Sequence, residues 1–221
     1  MSEPKISTKQ NMSEAFSDLR KLNPLLELTD RKINGTNFKV FQNAPKTMRD
    51  LFAVVELLQG DFPFICEDDK ELSFFETMSK AKSICKFLQD QGIQPNDRVG
   101  ICMQNCTEWA VIYLAIAGYG ATAVPFNSWW KTEELDYGIA HSEVKLIFVD
   151  LKRYELIKNH TIKKVVTKPI DNCTTYEEIT DTEEQNWPEN NAVDEDLTAL
   201  LYTSGSTCLL YTSDAADEHR R

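Results

Sequence analysis

Along this chain, blocks of apolar residues at helical spacing alternate with short unbroken apolar runs. Thr47 precedes Met48, Leu51, Phe52, Val55 and Leu58, a stripe that predicts a helix ending near Gly60. Phe62 to Cys66 reads as a strand. Ser73-Phe74-Phe75-Glu76 is a capping box, in which the serine oxygen and the glutamate carboxylate satisfy first-turn N–H groups reciprocally. Met78, Ala81, Ile84, Cys85 and Leu88 follow on one face until Gly92. Asp97 to Cys102 turns into a strand, and Thr107 leads into Trp109, Ile112, Tyr113 and Ile116, a helix that gives way near Gly118 or Gly120. Ala121 to Val124 is the next strand. Thr132 opens a helix towards Ala140, with Glu133 and Glu134 suited to its positive end, and Lys145 to Val149 is again a strand. This alternation predicts an α/β fold with a mainly parallel sheet and helices on both faces, its ligands held at the strands' carboxyl ends.

The rhythm fades at both ends. Met1 to Gly35 is polar, apart from a short helical stripe over Glu14 to Leu22, and reads as an extension. Beyond Asp150, Ile162 to Val166 is one more strand, and the acidic stretch Asp171 to Asp196 reads as a solvated connector. Leu197 to Tyr202 is then a compact buried strand that delivers the chain into Thr203-Ser204-Gly205-Ser206-Thr207. Trp109 to Trp130 carries no charge and has the length of a membrane span, but Gly118, Gly120, Pro125 and Asn127 divide it into a helix and a strand.

Composition removes several classes of function. A length of 221 residues suits one domain or a large part of a bigger protein. A net charge of -11 without clustered Lys or Arg argues against a nucleic-acid partner, whose phosphates such clusters would neutralise. The six cysteines, Cys66, Cys85, Cys102, Cys106, Cys173 and Cys208, form no C-x-x-C pair and follow no secretory signal. A reducing, cytoplasmic setting fits, without a disulfide framework or zinc site. No transmembrane segment and no basic amphipathic helix is evident.

The loop at 203–207 offers hydroxyl donors and a glycine that lets N–H groups turn inward around an anion, although small polar residues after a strand also make ordinary turns. Its neighbours add weight. Asp97-Arg98-Val99-Gly100-Ile101 with Asn105 and Glu108-Trp109, then Leu114-Ala115, Gly118 to Asn127, and Glu134-Leu135, resembles the adenylate-forming superfamily of acyl-CoA synthetases, coumarate ligases, luciferases and peptide-synthetase adenylation domains. Val124 to Trp130 with Glu133 to Gly138 looks most like the fatty-acid-CoA ligases. The resemblance implies a partial N-terminal domain of such an enzyme over 36–207. It also implies ATP with Mg²⁺ and coenzyme A as cofactors, and a carboxylic acid of the fatty class as substrate; Thr203, Ser204, Gly205, Ser206 and Thr207 would hold the β- and γ-phosphates. No position matches a catalytic motif, and no metal ligand is assigned. An aryl-acid or amino-acid ligase, and a non-catalytic binding module of the same fold, stay open as alternatives.

The family loop continues with glycine, two residues and lysine, whereas here Cys208 and Tyr211 stand at the positions of a small residue and that lysine. Cys208 to Glu218 resembles the conceptual translation of a transposase adapter used in preparing sequencing libraries. Residues 208–221 are therefore expected to be a foreign tail, after an extension at 1–35 and the domain at 36–207, and the LLYTS at Leu200–Ser204 and again at Leu209–Ser213 is a coincidence rather than a repeat. The resemblance places the adenine site and a catalytic lysine in later segments, so the polypeptide as written is expected to be inactive and its last strand to expose an unpaired edge. His141 reads as a surface or cap residue, Cys102 and Cys106 as small core residues, Trp129 and Trp130 as packing against the sheet, and Lys163-Lys164 as a solvated face.

Overall fold

A computed structural model of the chain describes residues 26–33, 35–182, 184, 186–189 and 192–203, together with the backbone of 210–213. The chain divides into two compact units between Pro45 and Lys46. In the first, β1 (Leu28–Ile33) and β2 (Thr36–Phe41) form an antiparallel hairpin that spans the boundary expected at residue 35. The expected helix over Glu14 to Leu22 lies outside the described residues.

The second unit begins with α1 (Met48–Gln59), where Thr47 Oγ1 accepts from the Asp50 N–H at 3.2 Å and the Asp50 carboxylate accepts from the Thr47 N–H at 3.1 Å. The strand expected at Phe62 to Cys66 is present as β3 (Pro63–Glu67). It pairs antiparallel with β4 (Lys70–Ser73) in a separate hairpin and stays out of the main sheet. The capping box at Ser73 and Glu76 opens α2 (Phe74–Asp90). The alternating portion then runs β5 (Arg98–Cys102), α3 (Thr107–Tyr119), β6 (Thr122–Pro125), α4 (Thr132–Ser142), β7 (Leu146–Val149), α5 (Leu151–Ile157) and β8 (Lys163–Val166). It closes with β9 (Thr174–Thr175), α6 (Tyr176–Thr180), β10 (Ala199–Tyr202) and β11 (Leu210–Ser213). Gly120 ends α3 at a φ of +84°, a left-handed turn that glycine enters without the Cβ penalty.

The main sheet has the order β11-β10-β6-β5-β7-β8-β9; β5 to β10 are parallel, and β11 joins β10 antiparallel. Over β5, β6 and β7 both faces are buried, which is why these strands read as unbroken apolar runs, whereas in β10, expected to be buried, Ala199 is buried and Leu201 is exposed at the sheet's margin. Val99, Ile101, Ala123, Phe148 and Val165 pack with side chains of α2, α3 and α6. Cys102, Val124, Ile147, Val149 and Val166 pack with Leu135, Ile139 and Ile157 of α4 and α5. Each fully buried Ile or Leu contributes about 1.5–3 kcal/mol. The uncharged run from Trp109 is thus α3 and β6 in the core, and no helix among the described residues is long and apolar enough to cross a membrane.

Four expectations change. The stripe of α1 that turns inward is Met48, Phe52 and Glu56, the last of them ion-paired with Lys82 at 2.8 Å; Leu51 and Leu58 are exposed. A short helix, α5, follows Asp150, whose side chain caps it. The acidic stretch is only in part a solvated connector: it contains β9 and α6, with Tyr176 and Ile179 buried, and Trp187 packs on Phe52. The edge of β10 is paired, with Ala199 opposite Ser213 and Tyr202 opposite Leu210. A bare strand edge presents a row of N–H and C=O groups that a β-prone segment such as Leu-Tyr-Thr-Ser satisfies.

Candidate active site

The chain leaving β5 runs through α3 to β6 on one face of the sheet, and the chain leaving β6 runs through α4 to β7 on the other. Connections that diverge in this way open a crevice beyond the carboxyl ends of the strands. Segments 103–106, 126–131, 150 and 203 lie at those ends.

A buried cation fixes the middle of this rim. Arg153, 3 % exposed, donates from Nε to the Ser128 carbonyl at 2.9 Å and from Nη1 to Asp150 Oδ2 at 2.9 Å. The Asp150 carboxylate also accepts from the N–H groups of Arg153 (2.9 Å) and Gln104 (3.0 Å). Three segments, following β5, β6 and β7, are thus tied together, and Asp150 is spent on structure. Charge-assisted bonds of this kind are stronger than neutral ones.

Beside it, aromatic rings surround Tyr202, the last residue of β10. Trp130 meets the phenol ring edge-on at 5.3 Å and Phe126 lies at 6.2 Å. The Tyr202 hydroxyl donates to the Gly138 carbonyl at 3.2 Å and lies 3.1 Å from His141 Nδ1. Gly138 has to lack a side chain, because a Cβ there would stand 2.7 Å from Trp130 and 3.0 Å from Phe126.

Of the loop residues singled out in the sequence, Thr203 follows β10 and is exposed; Ser204, Gly205, Ser206 and Thr207 lie outside the described residues. His141 sits on the exposed side of α4 but is brought onto Tyr202. Trp130 packs inward, whereas Trp129 is 85 % exposed, so the two tryptophans part company. Cys102 is buried, and its thiol is pushed up to about 12 by burial and then by the Asp150 charge. Cys106 is half-buried at the start of α3, and burial pushes its thiol up to about 11. Neither is poised as a thiolate at neutral pH. Lys163 meets the Gln91 side chain and Lys164 the Ile162 carbonyl, so this pair has protein partners as well as solvent. Among the described residues no group of three or more His, Cys, Asp or Glu side chains is placed to hold a metal ion.

Arg153 and Asp150 were not evident as rim residues in the sequence. An Asp before a short apolar-and-charged run is a local capping signal, but the Ser128 carbonyl that the arginine reaches is remote in sequence.

The profile of the AMP-binding enzyme family matches residues 41–209. Surfactin synthase subunit 1 of Bacillus subtilis is 25% identical over 169 residues, which cover 73% of this chain and 4% of that protein. The structure resembles that of the anthranilate CoA ligase AuaEII in complex with anthranoyl-AMP. The TM-score is 0.68 at 19% identity, over 74% of this chain and 33% of the ligase. It also resembles a long-chain-fatty-acid-CoA ligase from Archaeoglobus fulgidus, with a TM-score of 0.64 at 21% identity over 76% of this chain and 37% of that one. The chain therefore spans about a third of the length of these solved enzymes and a small part of the surfactin synthase subunit.

Proposed function

Since the chain belongs to the AMP-binding enzyme family, we propose that the whole protein is an ATP-dependent acyl-CoA synthetase acting on a fatty acid. The single observation that carries this reading is the placement of Tyr202-Thr203: a parallel strand ends at the carboxyl-end margin of the sheet, and the sequence continues into a run of hydroxyls and one glycine.

In the proposed reaction a carboxylate oxygen bonds to the α-phosphorus of ATP and pyrophosphate leaves. The coenzyme A sulfur, giving up its proton, then bonds to the acyl carbon and AMP leaves. Each step spreads negative charge over phosphate oxygens, so the protein's task is positioning and electrostatic stabilisation. Thr203, Ser204, Gly205, Ser206 and Thr207 would supply hydroxyl and N–H donors to the β- and γ-phosphates. Mg²⁺ would arrive on the nucleotide and neutralise its phosphates. Arg153 and Asp150 tie together the segments that follow β5, β6 and β7, and Phe126 and Trp130 pack beside Tyr202.

Support for a fatty acid comes from the Val124 to Gly138 segment and from the likeness to the Archaeoglobus ligase. A second reading, activation of an amino acid or aryl acid, draws on the likeness to the surfactin synthase subunit and to the anthranilate CoA ligase. Carboxylate-dependent exchange of labelled pyrophosphate into ATP by the whole protein tests the reading. A panel of fatty, aryl and amino acids separates the two, and formation of the thioester with coenzyme A separates a ligase from a peptide-synthetase module. Binding of ATP with no exchange on any acid would leave a non-catalytic module instead. For the 221-residue polypeptide alone we propose no exchange, because Cys208 and Tyr211 stand where the loop's small residue and lysine are needed.

A further inference from the structure

Helix α1 is apolar on two sides. Met48 and Phe52 turn inward, while Leu51, Val54 and Leu58, spaced i, i+3 and i+7, form a second stripe that faces solvent with Leu57 beside it. Leu57 is 85 % exposed and Leu58 63 %. One stripe is enough to seat a helix on its own domain, so the second marks a face that another surface covers.

The stripe continues beyond the helix. The Phe62 N–H donates to the Gln59 carbonyl at 2.9 Å, the Phe74 N–H to the Phe62 carbonyl at 3.0 Å and the Phe75 N–H to the Gly60 carbonyl at 2.8 Å. These bonds stitch the end of α1 to the start of α2. Phe62 and Phe75 are exposed at that junction, and Phe64 of β3 stacks on Phe74 with the ring centroids 4.0 Å apart. The apolar face is therefore continuous and held on an ordered backbone.

Charge decides what fits it. From Lys46 to Glu76, six exposed carboxylates, those of Asp50, Asp61, Asp68, Asp69, Glu71 and Glu76, stand against the exposed ammonium groups of Lys46 and Lys70. Two further cations are turned away: Arg49 donates to the carbonyls of Gly118 and Pro188, and Lys82 is buried against Glu56. A second copy of the chain would bring the same carboxylates, and an anionic lipid surface would repel them. An apolar ridge flanked by Lys and Arg satisfies both the stripe and its rim.

We propose that the outer face of α1, with Phe62 and Phe75, is a docking surface for a basic amphipathic helix of a protein partner. The proposal is independent of the nucleotide reading, since none of these residues belongs to the segments at the carboxyl-end margin of the sheet.

The test titrates the whole protein into a fluorescently labelled synthetic helix with leucines along one side and lysines along the rest. A leucine–glutamate helix and a serine–lysine helix of the same length serve as controls. Saturable binding is expected for the leucine–lysine helix alone, weakened by salt, with slowed amide exchange over Leu51 to Phe62. Leu57→Gln combined with Leu58→Gln should weaken it about tenfold with the melting temperature unchanged, because both side chains are exposed. Val54→Gln, on the same stripe, gives an independent reading if the double variant unfolds. Absence of saturable binding overturns the proposal, as does binding that the variants leave unchanged or that the serine–lysine helix matches. Equal binding of the leucine–glutamate helix removes the role of the acidic rim and overturns it too. Co-sedimentation with phosphatidylcholine vesicles, or dimerisation in the ultracentrifuge, that is abolished in the double variant would assign the face to a membrane or to a second copy instead.

Discussion

The Glu67 carboxylate caps a helix that begins forty residues later: one oxygen accepts the Thr107 N–H at 3.0 Å and the Thr107 hydroxyl at 2.7 Å. Cys106, at the N-cap, makes no capping bond of its own, so the β3–β4 hairpin supplies the acceptor that α3 lacks locally. The hydroxyl bond, then the N–H bond, holds this carboxyl below its ordinary value of 4.5. A depressed folded-state value means that the stabilisation is present above 4.5 and is lost as pH falls through the lower, folded value. Glu67→Gln is expected to be less stable than wild type at neutral pH, and the difference should shrink on acidification below pH 4.5. Urea unfolding at a series of pH values measures it, and parallel curves would rule the cap out as the source.

Gly118 lies under Trp187, where a Cβ would come within 2.6 Å of the indole and 3.3 Å of Phe52. In an open helix Gly→Ala gains about 1 kcal/mol. Here the added methyl displaces the indole, and overpacking costs about 1–3 kcal/mol. Gly118→Ala should therefore be destabilising, with a shift in tryptophan emission as Trp187 moves. A stabilised variant with an unchanged spectrum would contradict this placement.

Arg153→Met removes the cation from Asp150 and a donor from the Ser128 carbonyl. Stranding the partner of a buried charge costs about 3–5 kcal/mol. Thermal unfolding should show this loss. Hydrogen exchange should speed up at the N–H groups of Trp129 and Trp130, and protection equal to wild type there would show that the tie does not order the rim.

Alkylation separates the thiols by burial. Cys85 is fully buried, its thiol raised by burial and hydrogen-bonded to the Ala115 carbonyl at 3.1 Å, while Cys66 is exposed. Iodoacetamide under native conditions should label Cys66 well before Cys85 and Cys102, as read by peptide mass spectrometry. Early labelling of Cys102 would mean that β5 is not in the core.

If the loop at 203–207 holds the polyphosphate, Ser206→Ala in the whole protein should lower pyrophosphate exchange about 100-fold, the usual cost of one donor to developing charge. Exchange kinetics at saturating acid measure it.

What could be read from the sequence was what is local or periodic. The Ser73–Glu76 box spans one helical turn, and β5, β6 and β7 are buried on both faces, so each announces itself within its own segment. Between the two strands of the first unit's hairpin stands Asn-Gly at 34–35, a two-residue turn sequence. Other features depend on distant partners. Tyr176 and Ile179 are buried among Glu177 and Glu178, so charge hid a helix that tertiary packing makes. The Glu67 cap, the reach of Arg153 to Ser128, and the meeting of His141 with Tyr202 each join segments that carry no mutual signal along the chain.

The segment between α6 and β10 takes the chain from one margin of the sheet to the other, and it is held on the way by Arg49 on the Pro188 carbonyl and Asn96 on Asp196. The strand bearing the loop thus closes onto a sheet whose other parallel members precede it in the chain, and closing that long excursion costs loop entropy. If 203–207 holds the polyphosphate, docking of this margin and capture of the nucleotide are one linked equilibrium, and saturating ATP should slow amide exchange along Ala199 to Tyr202 in the whole protein.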